Sequence, residues 1–267
     1  MRGRVVIITG GTGLLGQRHA EAIASAGGVP VLADVRASDA DSDGAAFAER
    51  FGEAASVVAL DVTDPTSVKR ALEDVLARYG RVDGLINNAA NNPKMESESA
   101  VEFTRLESFR LDQWEADLAV GLTGAFLCSQ IVGSEMARRG RGVIVNVASD
   151  LAVIAPDQRL YRQPGLPEDR QPVKPITYSV VKTALIGLTR YLATYWAAAG
   201  VRVNAISPGG VHQGQPEEFV ERLASLIPLG RMARADEYEG AILFLCSDAS
   251  SYMTGANLIV DGGRTCL

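Results

Sequence analysis

The chain has 267 residues, 47% of them apolar, enough to bury one large core and better matched to a single α/β domain (1–267) than to two small ones. Its 26 basic residues against 32 acidic ones leave a formal charge of −6 with no Lys/Arg-rich block, so the field that draws proteins onto nucleic acid is missing. Cys128, Cys246 and Cys266 are too scattered for a disulfide framework or a thiolate metal site, and His19 and His212 lack companion ligands, so no metal is expected.

The first apolar run, Val5 to Ile8, is too short for a signal-peptide core. The longest uncharged stretch, Leu118 to Ser134, contains Gly121, Gly124 and Gly133 with Thr123, Ser129, Gln130 and Ser134, which suits a buried helix better than a membrane span. These features predict a cytoplasmic protein with no membrane partner.

Short β-branched runs alternate with longer helical patterns. Strands are predicted at Val5–Thr9, Val29–Ala33, Ser56–Leu60, Gly84–Asn87, Val143–Val147, Arg202–Ile206 and Asn257–Val260, and helices over about 14–26, 43–52, 65–79, 112–138, 178–199 and 235–247. Asp64 before Pro65, and Asp112 before Trp114, mark two helix starts. Continuous apolar strands separated by helices predict a doubly wound, seven-stranded parallel sheet with helices on both faces. The stretch 151–177, rich in Pro, Arg and Gln, exceeds ordinary connection lengths and is expected to be functional or mobile.

Between the first strand and first helix lies Thr9-Gly10-Gly11-Thr12-Gly13-Leu14-Leu15-Gly16, in which Gly11, Gly13 and Gly16 match G-x-G-x-x-G. The same glycines could serve only a tight turn, but the strand–turn–helix setting favours dinucleotide binding, because the helix N-terminus offers free N–H groups to a pyrophosphate. Gly10, Gly11, Thr12, Gly13, Leu15 and Gly16 are therefore cofactor candidates. Asp34 ends the second strand, where a carboxylate can accept from both ribose hydroxyls and repel a 2′-phosphate, predicting NAD rather than NADP; Arg36 beside it would oppose that preference.

Tyr178 and Lys182, four residues apart, share one face of a helix. A phenol, with its ordinary pKa of about 10, needs adjacent positive charge to exchange protons near neutrality, and Lys182 supplies it. Such a pair is common on helix surfaces and gains meaning only from its neighbours. Trp114, Tyr195 and Trp196 fall in helical patterns as core or subunit-contact residues, and His19 as a helix-face residue.

Those neighbours come in order: Leu60-Asp61-Val62-Thr63, Asn87-Asn88-Ala89-Ala90, Val145-Asn146-Val147-Ala148-Ser149, Ser207-Pro208-Gly209-Gly210 and Val260-Asp261-Gly262-Gly263. With them the sequence resembles the short-chain dehydrogenase/reductase family over essentially its whole length. The resemblance implies a Rossmann-type fold, an NAD(P)-dependent oxidoreductase and a homotetramer or dimer. It also implies that Asp61, with Val62 beside it, meets the adenine, that Asn88, Ala89 and Ala90 line the adenosine side, and that Pro208, Gly209 and Val211 approach the nicotinamide. Ser149 would hydrogen-bond the reacting oxygen.

Two positions depart from the family pattern. Gly121 stands where a catalytic Asn is usual, so a water-linked proton relay from Lys182 lacks its customary side chain. Leu14 stands where many members carry Gly, as in the extended, sugar-nucleotide-modifying branch. Ser149 to Arg190 and Pro228 to Gly263 resemble a subgroup associated with flagellin modification and nonulosonic-acid synthesis, which implies a sugar-like substrate. Ser149 and Tyr178 lie 29 residues apart, about twice the spacing of compact members, and the added loop is expected to border the substrate. Arg159, Arg162 and His212 are its candidate contacts. The expected activity is hydride transfer between NAD and a secondary alcohol or ketone, with Ser149, Tyr178 and Lys182 catalytic. The alternatives are a sugar epimerase or dehydratase using transient oxidation, and a non-catalytic cofactor-binding sensor.

Overall fold

In the computed structural model, which describes residues 1–37, 55–91 and 104–267, the β-branched runs form one seven-stranded sheet. Its strands are β1 (Val5–Thr9), β2 (Val29–Asp34), β3 (Ser56–Ala59), β4 (Gly84–Asn87), β5 (Gly142–Val147), β6 (Val201–Pro208) and β7 (Asn257–Val260), each within two residues of its expected bounds. All adjacent pairs are parallel, in the order β3-β2-β1-β4-β5-β6-β7, with Ile8 opposite both Leu32 and Ile86. The winding direction reverses between β1 and β4. In open α/β sheets that reversal leaves a crevice at the carboxyl ends of the strands, the usual place for a ligand.

Helices α1 (Leu14–Ser25), α2 (Pro65–Tyr79), α3 (Leu111–Leu118), α4 (Gly124–Arg138), α5 (Ile176–Tyr195), α6 (Glu217–Ala224) and α7 (Glu239–Cys246) surround the sheet. Side chains alternate along a strand, so Ile7, Val31, Leu85 and Val203 pack into one layer with Val68, Val132 and Leu192, while Ile8, Leu32, Ile86 and Ile206 pack into the other with Ile23, Ile242 and Leu245. Each such fully buried aliphatic side chain contributes roughly 1.5–3 kcal/mol, which is what holds helices on both faces.

Local chemistry sets the helix ends. The Asp64 carboxylate accepts from the Thr66 amide at 2.8 Å, Pro65 occupies the first turn, and Gly80 closes α2 with φ 68°. The Asp112 expectation is corrected: α3 starts at Leu111 without a side-chain cap, and Asp112 lies inside the first turn, ion-paired to Arg110. The single helix expected over 112–138 is interrupted by a π-helical turn at Ala119–Thr123. By length and composition Leu111–Arg138 could cross a membrane, yet its Cys128, Val132 and Met136 are spent on the sheet core. The helix α6, not anticipated from the sequence, is short and buries only Leu223. The helix expected at 43–52 lies outside the described residues.

Candidate active site

The crevice begins at the glycine turn. Gly10 has φ 62°, and at Gly16 a Cβ would stand 2.3 Å from the Gly10 carbonyl oxygen, so neither position accepts a side chain without moving the turn. Leu14 needs no such space: its side chain is exposed, so the departure at that position leaves the turn intact. The N-terminus of α1 has no side-chain cap and no acid in its first turn, which leaves its orphan N–H groups to an anion. Thr9 Oγ1 accepts from the Asn88 and Ala89 amides at 3.0 and 3.1 Å, and Asn88 Nδ2 donates to the Thr9 and Gly10 carbonyls, stitching β4 to the turn.

At the end of β2, Asp34 Oδ2 accepts from Thr12 Oγ1 at 2.7 Å and from the Thr12 amide at 3.2 Å, while Oδ1 accepts from the Arg36 amide at 3.1 Å. Burial pushes this carboxyl up, but the bonds from Thr12 and Arg36 outweigh it and hold it below its ordinary value. The Arg36 guanidinium donates to Thr12 Oγ1 and lies 3.6 Å from Asp34. Asp61 and Val62 follow β3, Asp61 exposed and Val62 buried.

Ser149, Tyr178 and Lys182 come together in a cleft of about 1100 Å³, open to solvent, whose walls also include Leu15, Asn88, Ala90, Pro208, Gly209 and Val211. Ser149 follows β5, and Tyr178 and Lys182 project from the first turns of α5, whose entry is fixed by Pro175. The Tyr178 hydroxyl donates to Ser149 Oγ at 3.3 Å, and Lys182 Nζ donates to the Val147 carbonyl at 2.7 Å and lies 5.9 Å from the Tyr178 ring centre. Burial raises Tyr178 above its ordinary pKa, with the Ser149 bond opposing. Burial, with the charge of Lys174 adding to it, brings Lys182 down to about 8. In the free protein Tyr178 is thus a neutral acid flanked by ammonium groups.

Beneath Ser149 is an ion pair that the sequence did not disclose. Ser149 Oγ donates to Asp150 Oδ1 at 2.8 Å, and Asp150 Oδ2 receives Arg264 Nη1 at 2.7 Å, both side chains less than a tenth exposed. Asp150 adjoins Ser149 in sequence, but nothing local marks Arg264, 114 residues away.

The three expected substrate contacts, Arg159, Arg162 and His212, do not line this cleft. Arg159 is 80% exposed and doubles back onto Asp157, Arg162 pairs with Glu168 beside a neighbouring pocket, and His212 is exposed beside the cleft without lining it. The 310 turn Gln158–Tyr161, capped by Asp157, points the guanidinium of Arg159 back to its own cap. The loop instead sends Leu160, Tyr161 and Lys174 into the cleft, and Gln213 and Gln215 take the place of His212. The loop itself is ordered around Gln171, whose amide bonds Gln163 and the Leu166 carbonyl.

Residues 4–161 match the family model described as short chain dehydrogenase, and residues 169–265 match one described as Enoyl-(Acyl carrier protein) reductase. The chain belongs to the short-chain dehydrogenase family. As a short-chain dehydrogenase it is an NAD(P)-dependent oxidoreductase acting on alcohols. It is 34% identical over 268 residues to a D-threitol dehydrogenase of Mycolicibacterium smegmatis, covering 98% of this chain and 93% of the relative. It is 33% identical to a cis-4-hydroxycyclohexanecarboxylate dehydrogenase of Sinomonas cyclohexanicum, covering 98% and 96%. The structure of a gluconate 5-dehydrogenase from Burkholderia cenocepacia, in complex with NADP and tartrate, superposes with a TM-score of 0.85 at 30% identity, covering 100% of this chain and 97% of that one. None of these three is named for nonulosonic-acid synthesis or flagellin modification, so the similarity carries the family and not that subgroup.

Proposed function

We propose that this short-chain dehydrogenase interconverts a secondary alcohol of a polyol or sugar-like compound and its ketone, using Tyr178 as acid and base, Ser149 to orient the oxygen and Lys182 to favour the tyrosinate. The observation that carries this reading is the 3.3 Å bond between Tyr178 and Ser149 with Lys182 behind it, in a cleft that adjoins the glycine turn. The residues fit a dinucleotide: a turn that admits no side chain at Gly16, an uncapped helix N-terminus, and a carboxylate at the end of β2. When bound, the nicotinamide supplies the hydride acceptor or donor. Tyr178 takes the hydroxyl proton in oxidation and returns it in reduction, and Ser149 holds the substrate oxygen beside it. The D-threitol and cyclic-alcohol relatives support a polyol-like substrate.

Asp34 favours NAD, since a 2′-phosphate would meet a buried carboxylate already held ionised by Thr12 and Arg36. A 2′-phosphate could be accepted only if Arg36 swung onto it. The epimerase reading loses its motive, because Leu14 is exposed and does not reshape the turn. The sensor reading is disfavoured by the assembled Ser149, Tyr178 and Lys182. Exposed Tyr191 and Tyr195, stacked at 5.9 Å on α5, are candidates for contacts of a homo-oligomer.

A screen of polyols, sugars and sugar acids with NAD and with NADP, followed by absorbance of the reduced nicotinamide, tests the reading. The expected result is turnover of at least one polyol-like substrate with kcat/KM at least tenfold higher for NAD. Equal efficiency with both dinucleotides would mean that Arg36 neutralises Asp34, and the absence of cofactor reduction across the panel would contradict the reaction class.

A further inference from the structure

Lys174, the penultimate residue before α5, is an ammonium that lines the cleft without an ion-pair or hydrogen-bond partner for its Nζ among the described residues. Its backbone is fixed on both sides: its amide donates to Gln158 Oε1 at 2.8 Å, and Pro175 follows as the cap of α5. Its Nζ stands 3.8 Å above the centre of the Tyr178 ring, one helical turn before the catalytic phenol. Among the described residues it makes no ion pair and its Nζ donates no hydrogen bond; the face of that ring is what Nζ rests on. The carboxylate in the cleft, Asp150, is ion-paired to Arg264 and acts on Lys174 only at a distance, without outweighing its burial, and Gln213, Gln215 and Tyr161, which share the lining, are neutral. Lys182 is turned to the Val147 carbonyl. Among the described residues of the cleft lining, three cations face one carboxylate, and of the two without an ion pair Lys182 is bonded to a carbonyl while the Lys174 ammonium has no hydrogen-bond acceptor. Desolvating a cation without a bonded counter-charge is costly, and burial, only partly opposed by the charge of Asp150, already draws Lys174 down to about 8. An anion bonded to Nζ would relieve that cost and would lie within a few bonds of the carbon whose oxygen meets Tyr178.

We propose that Lys174 selects a substrate bearing a carboxylate or phosphate close to the reacting alcohol, so that the preferred compound is a hydroxy acid or polyol phosphate and not the neutral polyol. This rests on the alcohol–ketone reading of the cleft and adds to it the charge of the substrate.

The test uses binding, which does not depend on turnover. The NADH-saturated protein, which cannot oxidise an alcohol, is titrated calorimetrically with D-threitol and with D-threonate, which differ by a carboxylate in place of a terminal hydroxymethyl, and with D-glucitol and its 6-phosphate. The expected result is at least tenfold tighter binding of the anionic member of one pair to the wild-type protein. Lys174→Met should remove that gap and Lys174→Arg retain it, with melting temperatures of both variants confirming that they fold. Equal affinity within both pairs, including no measurable binding of any of the four, overturns the proposal. So does a gap that survives Lys174→Met. A Lys174→Met variant whose kcat falls equally on neutral and anionic substrates would assign Lys174 to tuning Tyr178 and also overturn it. Failure of the underlying reaction is read separately, as absence of cofactor reduction in the wild-type protein.

Discussion

At the scale of single residues, the sequence revealed what is close along the chain and missed what is brought together by folding. Tyr178 and Lys182 were legible because four residues on a helix is itself a contact. Arg159 and Arg162 were not, because composition says that a loop carries guanidiniums but not which way its turns aim them. His19 is another case: a helix-face residue by pattern, it is in fact 1% exposed, with neither ring nitrogen hydrogen-bonded. Burial brings its pKa from 6.5 down to about 4. Above pH 6.5 both folded and unfolded chains hold it neutral and it exacts nothing. As pH falls from 6.5 towards 4, the unfolded chain takes up a proton that the folded chain refuses, so stability is lost across that window, by up to roughly 3 kcal/mol. Unfolding free energies measured across this window should fall less steeply for His19→Leu than for the wild type. Equal slopes would show that His19 is protonated without cost in the fold.

At the scale of elements, the strands were readable because central parallel strands are continuous apolar runs, and a run of Val and Ile admits few other fates. Helix α6 was not, since it has only eight residues, two turns, and although Phe219, Val220 and Leu223 share a face, so short a period is easily read as loop. Nor does a 3.6-residue period signal the π turn that divides α3 from α4. Gly121 lies in that turn, and a Cβ there would stand 2.6 Å from Val181 Cγ1. The glycine at the family's usual Asn position is therefore paired with a β-branched neighbour on α5 that fills its space. Restoring the family residue alone should fail: Gly121→Asn is expected to destabilise by about 1–3 kcal/mol, as overpacking does, and Val181→Ala in the same chain should recover most of it. Denaturant midpoints of the two single variants and the double variant check this, and a fully stable Gly121→Asn would show that Val181 can simply rotate away.

At the scale of the whole molecule, a parallel sheet covered on both faces was predictable from alternation, whereas the strand order and the crevice it creates are properties of long-range pairing. The Asp150–Arg264 pair that underlies Ser149 joins the end of β5 to the last residues of the chain, and no local pattern announces it. What the fold accomplishes is to bring the ends of β1, β4, β5 and β6 and the start of α5 to one cleft; the proposed function has a dinucleotide at the glycine turn meet an alcohol at Tyr178 there. That claim turns on one transferable proton. Tyr178→Phe keeps the ring and removes the hydroxyl, so the measurement is steady-state cofactor reduction by this variant on a substrate of the wild-type protein, together with its dissociation constant for NAD. The account predicts a loss of kcat of at least about a hundredfold with NAD affinity nearly unchanged, the scale of a positioned acid–base group. Turnover within about tenfold of the wild type would contradict it.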